Sequence, residues 1–286
     1  MQQSAPAAQA QGPRMSLANV STRHKRGARR ICLYGVEGIG KTTWAADAPS
    51  PIFIAPENGY PAGIEPTAFP EPRTWQDVLD GVEELIKGQH PYKTLVFDTM
   101  DWIVRDLLFR FVCAKHNKNS IDAFEFGAGY KFALAELTLL LSKLERLRIT
   151  KGMTIVLLAH SEQKTYQNPT GSDYDRFILK MNERLASVIR EWVDILLFAN
   201  FQVLLKGRRK EGDERALNER AKIKGGGARI VFTTPRPEAQ AKNRDDLPDT
   251  IALDYAELMR HINASPAEKA EKADKIRVEI RVVLQQ

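Results

Sequence analysis

The chain has 286 residues, 43% of them hydrophobic, which is typical of one large globular domain with or without appendages. It contains no run of 18 apolar residues, and its N-terminus lacks the apolar segment of a signal peptide, so we expect neither a membrane-spanning helix nor a membrane partner. Its two cysteines, Cys32 and Cys113, fall in a predicted strand and a predicted helix. This usage argues against a disulfide framework and favours a reducing, cytoplasmic location.

The net charge of +6 comes from the first 30 residues, that is, from the N-terminal arm and the two arginines that follow it. Six of the 42 Lys and Arg residues lie in residues 1–30, which hold no Asp or Glu, so residues 31–286 balance at 36 basic and 36 acidic. Residues 1–28 are rich in Gln, Ala, Ser and Pro and are predicted to be disordered. A basic arm can contact nucleic acid or an acidic partner, and it can equally be a solubilising tail.

A phosphate-binding motif follows the arm. Residues 35–42 read Gly-Val-Glu-Gly-Ile-Gly-Lys-Thr, between a predicted strand at 30–34 and a predicted helix start at 43–46. This is the strand–loop–helix context of a P-loop, whose backbone N–H groups and helix N-terminus attract phosphates. Lys41 can reach the β- and γ-phosphates, and the Thr42 hydroxyl can ligate Mg²⁺. The predicted nucleotide-binding residues are Gly35, Gly38, Ile39, Gly40, Lys41, Thr42 and Thr43.

A second motif ends at Asp98. Buried strands are predicted at 51–55 and 93–98, separated by a proline-rich loop at 60–73 and a helix at 74–87. A hydrophobic strand that ends in Asp is the Walker B pattern, and its carboxylate can hold Mg²⁺ together with the P-loop hydroxyl. Alternatively, Asp98 caps the helix that follows it.

Hydrolysis also needs a carboxylate that orients or deprotonates water. Glu57, just past the second strand, is the preferred candidate because strand ends of this kind face the nucleotide. Asp101 is the other candidate, although it is expected to point along its own helix. In the alternative interpretation, Glu57 is a solvated turn residue.

Helices are predicted at 101–116 and 130–148, then a buried strand at 153–159 and a polar loop at 160–175. His160 stands at the tip of that strand, where it can bond the γ-phosphate and report its loss to the loop. The alternative is a surface histidine. The spacing of His and Cys predicts no zinc site.

The remaining pattern completes an α/β fold with a mostly parallel central sheet, helices on both faces and an antiparallel extension. Residues 29–262 are predicted to form the core domain, and residues 263–286 a charged C-terminal segment that is either a helix or an edge strand. The later predicted elements are a helix at 182–192, strands at 194–199 and 202–206, and a charged, glycine-rich hairpin at 206–229 that a strand at 228–233 closes.

These motifs together resemble those of a known family. The residues that carry the likeness are the P-loop segment 34–43, Glu57, Asp98, Ala159-His160-Ser161-Glu162, and the later segments 233–237 and 241–244. They resemble the phage RecA-like P-loop ATP-binding proteins, which include single-strand annealing proteins, over roughly residues 29–250. The resemblance implies a RecA-like core whose His160 strand lies between the P-loop strand and the Asp98 strand. It also implies that Glu57 activates water.

The same resemblance implies single-stranded DNA binding through two loops, here 116–130 and 161–176. Basic and aromatic side chains suit phosphate contact and base stacking, although these could also be ordinary loops with core-packing aromatics. It further implies a homo-oligomer in which basic residues act on the nucleotide of the next subunit. The predicted DNA-binding residues are Lys118, Phe126, Lys131, Lys164, Tyr166 and Arg176, and the predicted trans-acting residues are Lys242 and Arg244, with Arg236 behind them.

The sequence therefore predicts a Mg²⁺- and ATP-dependent, single-stranded-DNA-binding ATPase of phage recombination or replication, working in the cytoplasm of an infected bacterium. A single-strand-binding protein is a further expected partner. Two alternatives stay open. One is a P-loop small-molecule or nucleotide kinase that uses the hairpin at 206–229 as a lid. The other is a non-catalytic ATP switch that scaffolds a larger complex.

Overall fold

Strands and helices alternate along most of the chain, as the sequence pattern predicts. A computed structural model describes residues 16–17, 20, 27–56, 59–60, 63–205 and 223–264. The strands of the described residues are β1 (Arg30–Gly35), β2 (Pro51–Ile54), β3 (Thr94–Phe97), β4 (Thr154–Tyr166), β5 (Tyr174–Leu179), β6 (Ile195–Leu205), β7 (Ile223–Phe232), β8 (Lys242–Asn243) and β9 (Thr250–Ala252).

The helices lie between these strands. They are α1 (Lys41–Ala46), α2 (Trp75–Lys87), α3 (Met100–Trp102), α4 (Phe109–Lys115), α5 (Ala128–Lys151), α6 (Glu183–Trp192) and α7 (Tyr255–Asn263). A π-helical segment, Ile103–Leu108, joins α3 to α4, so one helical stretch follows β3. Among the residues with a described structure, no helix combines the length and the apolar character that a bilayer crossing requires.

One sheet organises the fold. Its order is β2-β3-β4-β1-β6-β7-β9, with β5 paired to β4 and β8 paired to β6. The five strands from β2 to β6 are parallel to their neighbours, whereas β5, β7, β8 and β9 pair antiparallel. The predicted fold class is confirmed, and so is the predicted place of the His160 strand, β4, between β1 and β3.

Both faces of the sheet are covered, because β1 and its neighbours are apolar on both sides. Cys32 and Tyr34 of β1 point into a core that is closed by α2, α5 and α6. Ile31 and Leu33 point to the other face, into a core that is closed by α1 and α7. The carboxyl ends of the parallel strands are thus left as the accessible edge of the sheet, where ligands bind in open α/β folds.

The predicted polar loop at 160–175 is wrong. β4 continues without interruption from the parallel sheet to Tyr166 and pairs antiparallel with β5, from Ser161 opposite Leu179 to Tyr166 opposite Tyr174. Residues 162–167 are exposed, so the second half of the strand is polar on both faces and lacks the apolar alternation that identifies a strand in a sequence. The segment is a β-hairpin, and it is called the β4–β5 hairpin below.

The other boundaries differ less. The two strands predicted at 194–199 and 202–206 form one strand, β6, whose pairing with β7 shifts register between Phe201 and Val203. The helix predicted at 130–148 runs from Ala128 to Lys151, so it begins two residues earlier and ends three residues later than predicted. Most of the predicted arm (1–15, 18–19 and 21–26), part of the charged hairpin (206–222) and the C-terminal residues 265–286 lie outside the described residues.

Candidate active site

The P-loop lies between the end of β1 and the start of α1. Gly40, the residue before α1, has a φ of 100°, a left-handed conformation that glycine adopts without strain. Gly35 is needed for a different reason, because a Cβ there would lie 2.3 Å from the carbonyl oxygen of Ala199 on the adjacent β6. Ile39 is buried beneath the loop and anchors it to the core. The loop backbone is therefore held from both ends and from below.

A cleft of about 430 Å³ opens over this loop. It brings together Lys41, Thr42 and Thr43 from the P-loop and α1 with Asp98 and His160, as the sequence predicts. The lining residues are Gly38, Gly40, Lys41, Thr42, Thr43, Gly59, Tyr60, Asp98, Thr99, His160 and Arg229. The cleft is thus built from strands that are adjacent in space but far apart along the chain.

Lys41 is buried, and its ammonium group faces the loop. Its Nζ donates hydrogen bonds to the carbonyl oxygens of Gly35, at 3.2 Å, and of Val36, at 3.1 Å. Burial lowers the pKa of Lys41, and nearby Asp101 and Asp98 oppose this effect. A cation at this position can donate to phosphate oxygens that enter the loop.

Thr42 and Asp98 form the second part of the site. The Thr42 hydroxyl donates a hydrogen bond of 2.6 Å to Oδ2 of Asp98. Burial raises the pKa of Asp98, while the Thr42 hydrogen bond and the Lys41 charge act in the opposite direction. The alternative role of Asp98 as a helix cap is not found, because Thr99 occupies the cap position of α3.

A hydroxyl and a buried carboxylate in contact are the hard oxygen ligands that Mg²⁺ prefers, so these two residues fit the predicted metal. The Thr42 hydrogen bond and the charge of Lys41 offset part of the effect of burial on the pKa of Asp98, and a bound divalent cation would add more positive charge there. Mg²⁺ would neutralise charge on the phosphate groups there. Thr42 and Asp98 are the residues that would hold it.

His160 lies where β4 leaves the parallel sheet, and Asp101 fixes its orientation. The His160 backbone N–H donates to Oδ1 of Asp101 at 3.0 Å, and ring atom Nδ1 lies 2.9 Å from Oδ2. Burial acts to raise the pKa of Asp101, but the two His160 hydrogen bonds outweigh it, and the pKa is lowered. When Nδ1 of His160 carries the proton, it donates a hydrogen bond to the Asp101 carboxylate, and Nε2 is then the ring nitrogen that can accept one.

Asp101 therefore points away from the expected direction. The sequence suggested a side chain aligned with its own helix, whereas the carboxylate turns towards β4 and is buried there. Its contacts make it a residue that positions His160. Glu57, the preferred water-activating residue, lies outside the described residues.

Sequence reasoning missed three residues with side chains that line the cleft, namely Tyr60, Thr99 and Arg229. Tyr60 lies in the segment after β2 and packs edge-on against Phe53, with ring centroids 6.3 Å apart. Arg229 comes from β7, on the antiparallel side of the sheet. The position of Tyr60, three residues after Glu57 in the sequence, is a signal that could have placed it at the cleft. No local pattern points to Arg229.

Within a single subunit, Lys242 and Arg244 do not line this cleft. β8 pairs with the first residues of β6. These residues lie at the amino ends of the parallel strands, whereas the P-loop follows the carboxyl end of β1. The Lys242 ammonium donates to the carbonyls of Arg190 and Glu191 at the end of α6, both at 2.8 Å. Arg244 Nη1 lies 3.5 Å from Asp194. A role for these residues on a neighbouring subunit stays a prediction.

The first predicted DNA-binding segment lies just before α5 and includes its first turn. Phe126, just before α5, is 97% exposed, and its φ of 52° is unusual for a residue with a side chain. A Cβ on the next residue, Gly127, would lie 3.9 Å from Nη1 of Arg184, on the helix that follows the β4–β5 hairpin. Lys118 and Lys131 flank Phe126 along the chain, and both are exposed.

The β4–β5 hairpin carries the other three predicted DNA-binding residues, Lys164, Tyr166 and Arg176. Lys164 is directly opposite Arg176, and Tyr166 is directly opposite Tyr174, so these four side chains share one face. The Arg176 guanidinium lies 5.1 Å from the Tyr166 ring centroid and donates to the carbonyls of Arg236 and Pro237. Arg176 thus also ties the hairpin to the segment after β7.

The fold and this cleft define a P-loop NTPase with a RecA-like α/β core: a phosphate loop after β1, a Thr42–Asp98 pair that bridges to β3, and a polar residue at the end of the strand between them. A family model described as an AAA domain matches residues 28–245, and the chain belongs to this family. A crystal structure of the RadB recombinase is similar with a TM-score of 0.39 over 76% of this chain and 91% of that chain, at 13% sequence identity. No curated protein matches the chain.

Proposed function

We propose that the protein is a Mg²⁺- and ATP-dependent ATPase that binds single-stranded DNA and acts as an oligomer in phage recombination, by strand annealing, or in phage replication. The observation that carries the proposal is the continuity of β4. One strand holds His160 at the nucleotide cleft and Tyr166 on the exposed hairpin. The two predicted sites are therefore parts of a single element.

The cleft supports the nucleotide half of the proposal. Lys41 and the α1 N-terminus present positive charge to phosphates, and Thr42 with Asp98 presents oxygen ligands to Mg²⁺. His160 lines the cleft, and Asp101 holds its ring through Nδ1, so Nε2 is the ring atom proposed to bond the γ-phosphate. Glu57 is the proposed base for the attacking water.

The hairpin supports the DNA half. Tyr166 is 41% exposed, and its ring lies 5.2 Å from that of Tyr174, so the two rings offer an aromatic surface to unpaired bases. Lys164 on the same face can contact phosphates. Acidic Asp175 is opposite Thr165 and accepts from Gln163 and Thr165, which places it on the other face of the hairpin.

ATP hydrolysis by the purified protein tests the proposal. Turnover with Mg²⁺ would be measured with and without single-stranded DNA at two salt concentrations. Stimulation that fades at high salt is expected, because phosphate contacts weaken as salt rises. Turnover that is indifferent to DNA would instead favour the kinase or the protein-partnered switch.

Replacing Tyr166 by alanine is expected to weaken single-stranded DNA binding by about 5- to 150-fold, since one base–aromatic stack contributes about 1–3 kcal/mol. The variant's ATP turnover without DNA should equal that of the wild type. Fluorescence anisotropy with a labelled oligothymidine measures the affinity.

Tyr166→Phe is the matched control, because it keeps the ring and should keep the affinity. Equal DNA affinity of Tyr166→Ala and the wild type would remove the hairpin from the DNA-binding surface. Loss of affinity in both variants would show that the hydroxyl, and not stacking, makes the contact.

A further inference from the structure

An arginine from outside the predicted motifs reaches the P-loop. A Cβ on Gly40 would lie 2.6 Å from Nη1 of Arg229, so the guanidinium lies directly against the last residue before α1. Arg229 is also one of the residues that line the cleft. A second positive charge, besides Lys41, therefore borders the phosphate loop.

The sheet sets the position of this arginine. Arg229 pairs with Phe201 of β6, and the neighbouring Ile230 pairs with Ala252 of β9. The Arg229 carbonyl also accepts a hydrogen bond of 3.2 Å from the Leu253 N–H. Strands on both sides thus hold its backbone, which makes the reach to Gly40 a property of the fold and not of a free loop.

Its charge is not neutralised within the part of the chain that the structure describes. Arg29, Arg30 and Arg148 each pair with a carboxylate, whereas no hydrogen bond or ion pair among the described residues engages the Arg229 guanidinium. A guanidinium has five N–H donors in a planar fork and no acceptor. An exposed fork beside a phosphate loop matches an anionic ligand.

We infer that Arg229 binds the phosphate chain of the nucleotide, in the same subunit as Lys41. The inference rests on the proposed nucleotide binding and adds a residue to that site. The planar guanidinium can donate two parallel hydrogen bonds to two phosphate oxygens, a fixed fork geometry that an ammonium group does not offer. Because Arg229 belongs to β7, the bound nucleotide would join the antiparallel extension to the P-loop.

Equilibrium binding to two ligands tests the inference. Calorimetry with Mg²⁺ would compare ATP with tripolyphosphate, which has the phosphate chain and no nucleoside. Arg229→Gln is expected to weaken both ligands by about 10- to 100-fold, because charge-assisted hydrogen bonds to phosphate are lost. Arg229→Lys should fall between this variant and the wild type, since it keeps the charge and loses the fork.

Arg110→Gln is the matched control, because Arg110 is an exposed arginine on α4 and is not among the residues that line the cleft. It should bind both ligands like the wild type. Circular dichroism of each variant establishes that it is folded, and Arg229→Lys provides a milder change should Arg229→Gln fail to fold.

Three outcomes would overturn the inference. Unchanged binding of both ligands by Arg229→Gln would exclude the contact while leaving the proposed function intact. Weaker ATP binding with unchanged tripolyphosphate binding would place Arg229 on the nucleoside. A wild-type protein that binds neither ligand would refute the proposed function itself, and with it the inference.

Discussion

Replacing Lys41 by alanine is expected to abolish nucleotide binding. The buried ammonium group faces the loop, and its hydrogen bonds to Gly35 and Val36 show that it can donate to oxygen atoms there. Two charge-assisted hydrogen bonds contribute about 1.5–3 kcal/mol each, so the affinity should fall by at least about 100-fold. Calorimetry with ATP and Mg²⁺ measures the loss.

Lys180→Ala is a matched control for this prediction. Lys180 faces the same loop, but its side chain is 45% exposed, and it pairs with Glu37 at 3.7 Å. An exposed pair of this kind contributes little, so the variant should bind ATP nearly as well as the wild type. Normal ATP hydrolysis by Lys41→Ala would refute the assignment of the P-loop.

The second large effect is expected from Glu57→Gln. β2 ends at Ile54, before Glu57 in the sequence, and its neighbour β3 ends next to Asp98 of the cleft, so the prediction that Glu57 activates water rests on its place along the chain. The amide keeps the size of the side chain but cannot accept the proton of the attacking water. Turnover should fall by about 10²- to 10⁴-fold, which is the usual contribution of general-base catalysis to the rate, whereas the affinity for ATP should be unchanged.

Single-turnover hydrolysis and ATP calorimetry on the same preparation separate the two properties. Unchanged turnover in Glu57→Gln would move the role of the base to His160, which Asp101 orients. Asp101→Asn and His160→Gln would then be the variants to measure. Loss of ATP binding in Glu57→Gln would indicate that Glu57 holds the nucleotide instead.

The P-loop and Asp98 could be predicted because each is a local motif. The loop residues lie within one strand–loop–helix unit, and Asp98 ends a run of buried residues. Their meeting at Thr42 follows from a parallel sheet, in which the carboxyl ends of neighbouring strands share an edge.

Arg229 could not be predicted in this way. Its place beside Gly40 depends on β6 lying between β1 and β7 and on the register of Phe201 with Arg229. Pairing and register of this kind are long-range properties that a single sequence does not display. The direction of the Asp101 side chain was missed for the same reason, since Asp101 is on α3 and its partner His160 is on β4, far along the chain.

The β4–β5 hairpin was missed for a different reason. The second half of β4, from Glu162 to Tyr166, is exposed on both faces, and the usual signature of a strand depends on one buried face. The prediction of basic and aromatic side chains in this segment stands, but the backbone that presents them is a paired ribbon. Face and register could be assigned only once that pairing was known.

The unbroken course of β4 has a mechanical consequence. Thirteen residues in one extended strand span about 40 Å, and the parallel half is clamped between β1 and β3. A displacement of His160 by the nucleotide would therefore be passed along the same strand to the β4–β5 hairpin, whose strand pairing would be kept. Hydrolysis would then change the direction of the Tyr166 side chain, while the backbone amides of the paired β4 and β5 strands keep their protection from hydrogen exchange.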